Sequence, residues 1–384
     1  MTIINAKIYT CDNKKIIENG YLQFEKGKIT EIGDMENFIN IGEAYDAKGS
    51  VLTPGFVEGH CHIGMWEDSI GFEGDDGNED TDPTMPHLRA IDAINPLDRC
   101  FREALEAGIT TVVTGPGSAN PIGGQFAALK TSGKTVEEML IKAPICIKAA
   151  LGENPKTVYH GKNLSPVTRM ATAAIIREQL FKASRYIKDL NKALNDEDFD
   201  EPEFDIKCEA FIPLFNGDIP FHIHAHRQDD ILTALRICEE FSLEAVIIHC
   251  TDGALIADIL KNKNVSVLCG PSLCERSKPE LKNLSFKTSG ILNKAGIKTA
   301  IITDHPATPI QYLPLCAALC VKDGMNFLDA LEAITIIPSE ICRIDEKVGS
   351  LKVGKDADFA IFDGNPFDIM TKTLSVYVNG EKVL

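Results

Sequence analysis

The chain has 384 residues, 44% of them apolar and 25% charged, with a mean hydropathy of -0.04, which gives ample material for a globular core. Its formal net charge of -17 repels polyanions, so neither nucleic acid nor an anionic membrane surface is expected as a partner. No apolar run approaches the roughly 20 residues that span a bilayer. Met1–Asn5 lacks the charged and apolar stretches of a secretory leader, so a cytoplasmic location is expected. The 12 cysteines are scattered, and Cys316 and Cys320 have no His or Cys near them in sequence to complete a metal cluster; reduced, buried thiols are the expected reading.

In chain order, the first fifty residues read as short strands, Ile3–Thr10, Tyr21–Glu25 and Lys28–Ile32, separated by Asn19-Gly20 and Lys26-Gly27 turns. The region from about 53 to 345 changes texture. Apolar runs at Thr110–Thr114, Pro144–Leu151, Ile219–His224, Glu244–His249, Val265–Gly270 and Lys298–Asp304 alternate with helical patterns such as Asp229–Phe241 and Asp252–Lys261. Strands alternating with helices predict parallel βαβ units. The length suits a (β/α)8 TIM-type barrel, and no Gly-rich phosphate turn follows the first strand to favour a doubly wound sheet. A helix is expected over Ala171–Leu194, followed by an acidic solvated loop, Asn195–Glu203. The last forty residues return to strand-like runs, Asp358–Phe362 and Leu374–Asn379. The fold class expected is therefore α/β. Residues 53–345 form the barrel, and 1–52 and 346–384 together make a small β-sandwich.

The chemistry starts at Pro54-Gly55-Phe56-Val57-Glu58-Gly59-His60-Cys61-His62. Residues i and i+2 of a strand face the same way, so His60 and His62 can present two imidazoles to one cation. Similar residues end later strands: the His222-Ile223-His224-Ala225-His226 run, His249 and Asp304. Barrel active sites gather at those carboxyl ends. Taken singly, each has a plain alternative: a surface or core histidine, or Asp304 as a helix N-cap. Four such coincidences in strand order favour one shared site.

That order, H-x-H then His, His and Asp, resembles the amidohydrolase superfamily, nearest to its imidazolonepropionase and barrel-dipeptidase branch. Val348–Phe359 also resembles the family's C-terminal return into its β-sandwich, so the likeness covers nearly the whole chain. It implies a hydrolase that cleaves an amide-like carbon–nitrogen bond, cyclic or open, of a small molecule with metal-activated water. It implies His60, His62, His224, His249 and Asp304 as ligands of one or two divalent cations, zinc above all, with Asp304 as proton acceptor and His249 beside it as a catalytic group. On the fourth strand, Glu153 or Lys148 would bridge two cations. They lie about 16 Å apart along an extended strand at roughly 3.3 Å per residue, and Glu153, just past the Leu151-Gly152 break, is the better-placed ligand. His226, Arg227 and Lys156 are expected to meet substrate. Family deaminases carry a Glu where this chain has Arg227, which lowers deamination without removing it. A metallo-dipeptidase remains the other alternative. A barrel homologue that had lost its metals would lack the histidines present here. A homo-oligomer is compatible with all of this.

Overall fold

The computed structural model describes residues 1–39, 42–68 and 70–384. Five strands open the chain: β1 (Thr2–Tyr9), β2 (Ile16–Glu25), β3 (Lys28–Asp34), β4 (Ala44–Asp46) and β5 (Val51–Pro54). The central region follows with β6 (Phe56–Cys61), β7 (Ile109–Thr114), β8 (Ile122–Gln125), β9 (Ala127–Lys130), β10 (Leu140–Lys142) and β11 (Ile147–Ala150), then β12 (Phe221–Ala225), β13 (Ala245–His249), β14 (Val265–Cys269) and β15 (Thr299–Ile301). Three strands close it: β16 (Phe359–Phe362), β17 (Thr373–Val378) and β18 (Glu381–Lys382).

Both termini build one sheet. Its order is β18-β17-β16-β5-β1-β2-β3, with β4 on β1. The hydrogen bonding is that of a single eight-stranded sheet rather than the two facing sheets expected of a sandwich. Ile3, Ile8, Leu22 and Leu52 from the N-terminal strands share a core cluster with Phe359, Ile361 and Tyr377 from the C-terminal ones. At roughly 1.5–3 kcal/mol per buried large apolar side chain, neither half keeps that core alone.

The central strands make a mixed α/β fold of two sheets, β10-β9-β7-β6 and β15-β14-β13-β12-β11-β8. Strands β11 to β15 are parallel and completely or almost completely buried, as expected for Val/Ile-rich runs such as Ala245-Val246-Ile247-Ile248 covered on both faces. Residues 122–130 run antiparallel to their neighbours on both sides: β8 to β11 and β9 to β7. The Gly/Pro-rich stretch Gly115–Gln125 reads in the sequence as a loop after a strand, and its end forms β8 instead. Among the described residues the ladder does not close into a barrel. Between β6 and the end of β15 the seam is crossed by His62 N–H donating to the His305 carbonyl at 2.9 Å, and by Glu58. That buried carboxylate accepts from Thr303 N–H at 2.8 Å and Thr303 Oγ1 at 2.6 Å.

The long helix spans Arg169–Asn195, with Thr168 Oγ1 accepting from Ala171 N–H at its start. Gln228–Phe241 forms the helix after β12. The helix expected over 252–261 is instead a 3-10 turn, Gly253–Ile256, and one short α-turn, Ala257–Leu260.

Candidate metal centre

Every site histidine sits where an apolar run ends. The i, i+2 rule puts His60 and His62 on one side of β6 and its exit, and His222, His224 and His226 on one side of β12 and its exit. Pairing Ala225 with His249 and His249 with Cys269 sets β12, β13 and β14 level at the mouth. Two site residues then depart from extended geometry. His249 has φ 73 and Asp304 φ 53, left-handed conformations that cost a non-glycine residue of order 1–3 kcal/mol and cluster at functional sites. The turn at each strand end aims the side chain across the mouth rather than along it.

Two groups of ligating atoms result, each with its atoms within 4.8 Å of one another: His60, His62 and Asp304, and His224, His226 and His249. In the first, Asp304 Oδ1 lies 3.4 Å from His60 Nε2 and 3.3 Å from His62 Nε2. In the second, the His226 and His249 rings stack at 4.4 Å, and His224 meets His249 edge-on at 4.4 Å. Outer hydrogen bonds fix tautomers. His62 Nδ1 donates to the Gly115 carbonyl at 2.7 Å and His249 Nδ1 to the Gly270 carbonyl at 2.6 Å, leaving each Nε2 as a free lone pair. Gly270 is irreplaceable there: its φ is 142, and a Cβ would fall 2.2 Å from the Ile302 carbonyl oxygen. His226 Nδ1 pairs with Thr251 Oγ1 at 2.8 Å. Both ring nitrogens of His60, His222 and His224 are buried without a hydrogen-bond partner.

Burial holds His60, His224 and His226 well below the ordinary histidine range, His249 down at about 4 and His222 at about 3. Burial pushes the Asp304 carboxyl up, but facing His249, His60 and His62 outweigh it and keep the group ionised. Neutral imidazoles around a carboxylate are the donor set that a divalent cation takes. The buried, partnerless imidazole nitrogens have no other account in the fold, so the residues fit a cation.

The groups open into a cavity of about 1160 Å³ whose walls include Trp66, Gly117, Ser118, Glu153, Asn154 and Lys278. Glu153 begins the helix Glu153–Gly161 and lines this cavity, but it belongs to neither ligand group. The chain has already turned at Gly152, φ 86, and the helix carries the carboxylate off the strand line. Lys148 is fully buried on β11, and its Nζ donates to Ser118 Oγ at 2.5 Å. Because Ala150 pairs with His224, Lys148 stands two residues behind the His224 level, and its Nζ also reaches the Gly117 carbonyl at 3.4 Å. Arg227 is held by Asp229 at 2.7 Å and, with Lys156, lines a neighbouring depression of about 450 Å³ rather than the cavity of the two groups. His226 is 3% exposed and stands in the ligand group itself. Glu280 and Lys278, both close to the second group, carry no motif in the sequence; they follow β14 on a loop whose path sequence spacing does not fix.

The amidohydrolase family model matches residues 215–383. An amidohydrolase of Thermotoga maritima MSB8 superposes with a TM-score of 0.96 at 38% identity, covering 100% of this chain and 99% of that one. The imidazolonepropionase of Fusobacterium nucleatum is 22% identical over 97% of this chain and 93% of its own. Amidohydrolase tasK of Hapsidospora irregularis is 25% identical over 94% of this chain, which spans 39% of that protein's length. The chain belongs to the amidohydrolase family, and it is a hydrolase acting on carbon–nitrogen bonds. The family is metal-dependent.

Proposed function

We propose that the protein hydrolyses an amide-like, cyclic or open carbon–nitrogen bond of a small molecule at the mouth cavity. His60, His62 and Asp304 would hold one divalent cation, and His224 and His249, with His226 beside them, a second; zinc suits so imidazole-rich a set. A bound cation supplies Lewis acidity and lowers the pKa of water from 15.7 towards about 7. Asp304, kept ionised by the imidazoles it faces, accepts the proton of the attacking water and returns it to the leaving nitrogen. His62 and His249 keep their Nε2 lone pairs inward because Gly115 and Gly270 take their Nδ1 protons. Trp66, whose ring meets His62 at 4.7 Å, walls the site from bulk water.

The observation carrying this reading is the convergence of five histidines and one aspartate from β6, β12, β13 and β15 into two ligand groups. Glu153, which lines the cavity, and Lys148, two residues behind the His224 level, stand as the two candidates for a bridging group. We also propose that residues 1–52 and 346–384 act as one composite unit around 53–345. All 12 cysteines are free, which supports a reducing, cytoplasmic setting. No helix among the described residues is long and apolar enough to cross a membrane.

Elemental analysis of protein purified without chelator, joined to an activity screen over lactams, cyclic imides, N-acyl amino acids and dipeptides, tests the proposal. At least about one transition metal per chain and metal-dependent turnover of one class are expected. Full hydrolytic activity in metal-free protein would sink it.

A further inference from the structure

We propose that Glu280 is a cation ligand of the second group, closing His224 and His226 into a mixed imidazole–carboxylate site. The inference rests on the cation-binding reading above. After β14 the chain returns over the mouth and buries the Glu280 side chain to 1% exposure. Its Oε1 lies 3.8 Å from His224 Nε2 and 3.7 Å from His226 Nε2. Both separations are too long for a hydrogen bond, and neither His224 nitrogen has any other partner. Where Nε2 carries its lone pair, buried acceptors face one another, an arrangement that repels unless a cation stands between them. Donors bound at about 2.0–2.2 Å around a tetrahedral cation lie about 3.4 Å apart, close to the spacing here and to that of the first group.

The rest of the carboxylate is prepared for this role. Oε2 accepts from Glu153 N–H at 3.1 Å, which fixes its rotation. Lys278 Nζ sits 2.8 Å from Oε1 and is itself anchored on Asn154 Oδ1 at 2.6 Å. The ammonium and the two imidazoles face the same oxygen, Oε1, and the ammonium balances the carboxylate's charge. Thus the backbone at Glu153 serves the site. The competing role for Glu280 is purely structural: a buried partner for Lys278.

Cobalt(II) added to metal-free, full-length protein separates the two roles. Equilibrium dialysis with elemental analysis gives the stoichiometry, and visible absorption reports the ligand field. Wild type is expected to take about two equivalents. Glu280→Gln should remain folded by thermal melt, lose at least about 10-fold in affinity for one equivalent and change its spectrum, whereas Lys278→Met should keep both equivalents. Equal binding and an unchanged spectrum in Glu280→Gln overturn the proposal, as does parallel loss in Glu280→Gln and Lys278→Met. If Glu280→Gln does not fold, Glu280→Asp decides: two equivalents with a shifted spectrum support a ligand, and a spectrum identical to wild type overturns it. Wild type that binds no cobalt removes the cation-binding reading itself, and this inference with it. Wild type that binds two, with Glu280→Gln unaffected, removes only the inference.

Discussion

Two regions bury ionisable groups in opposite ways. Where β9 meets the terminal sheet, Lys130 donates to Asp358 and, at 2.8 Å, to Asp356. Lys28 reaches the other Asp356 oxygen at 2.6 Å, and Asn379 N–H reaches the other Asp358 oxygen at 2.7 Å. Every charge there is matched. At the mouth, His60, His222 and His224 bury six ring nitrogens with no hydrogen-bond partner, and His249 and Asp304 hold left-handed backbones. A buried polar group left unpaired costs about 1–3 kcal/mol, so a fold keeps several together only where something else is to be bound. Satisfied burial joins the terminal strands to the centre; unsatisfied burial gathers at the proposed metal site.

The largest effect should come from the mouth. Asp304→Asn keeps shape but cannot accept a proton, so kcat for the substrate found by the screen should fall by about 10²–10⁴. The melting temperature should fall modestly, because the imidazoles that hold the Asp304 carboxyl below its ordinary range lose the anion they face. A kcat near normal would move the proton acceptor elsewhere. A collapse in stability would make Asp304 a structural ion like those of the Lys130 network and erase the contrast.

Lys130→Met probes the matched region. It strands Asp358, which burial already pushes above the ordinary carboxylate range against the pull of Lys130. Breaking one partner of a buried pair costs about 3–5 kcal/mol, read by denaturant or thermal melts. Metal content and KM of the folded fraction should stay unchanged. Loss below about 1 kcal/mol would show that the triad does not tie the terminal sheet to the centre.

The same contrast explains what was legible in the sequence. His60 and His62 declare themselves because a strand's period of two is local, and His249 and Asp304 because apolar runs end at them. The joint sheet follows from strand runs at each terminus that cannot stand alone. Its single-sheet pairing does not follow, since which edges meet is a long-range matter. The antiparallel passage of 122–130 was hidden because its start lies in Gly115–Gln125, which reads as a loop. Glu280 was hidden because a loop's path does not follow from spacing. The bridging choice between Glu153 and Lys148 rests in the sequence on backbone distance and on the Leu151-Gly152 break. It leaves out that the chain enters a helix at Glu153, which carries the carboxylate off the strand line. Glu58, two residues before His60, looks like an ordinary strand residue until Thr303 is placed against it.

The smallest effect concerns His222, which lies below the ligand level with both ring nitrogens buried and unpartnered. Burial lowers its pKa to about 3, while the unfolded chain titrates near the ordinary 6.5. As pH falls below about 6.5 the unfolded state binds a proton that the folded state refuses. Stability therefore declines with acid until pH nears 3, where the folded group also protonates. At pH 5 this one residue accounts for roughly 2 kcal/mol of lost stability, from about 1.4 kcal/mol per pH unit. His222→Met fills similar space without a titrating group. In metal-free protein at pH 7.5 the variant should match wild type within about 1 kcal/mol, since an unpaired imidazole contributes no hydrogen bond that could be lost. The gap should then open in the variant's favour as pH is lowered to 5, measured by urea denaturation at each pH. A variant markedly weaker at neutral pH would mean that His222 has a partner in solution and belongs with the matched charges of the Lys130 seam. Parallel acid limbs in the two proteins would assign the acid loss to His249 and the other site histidines instead.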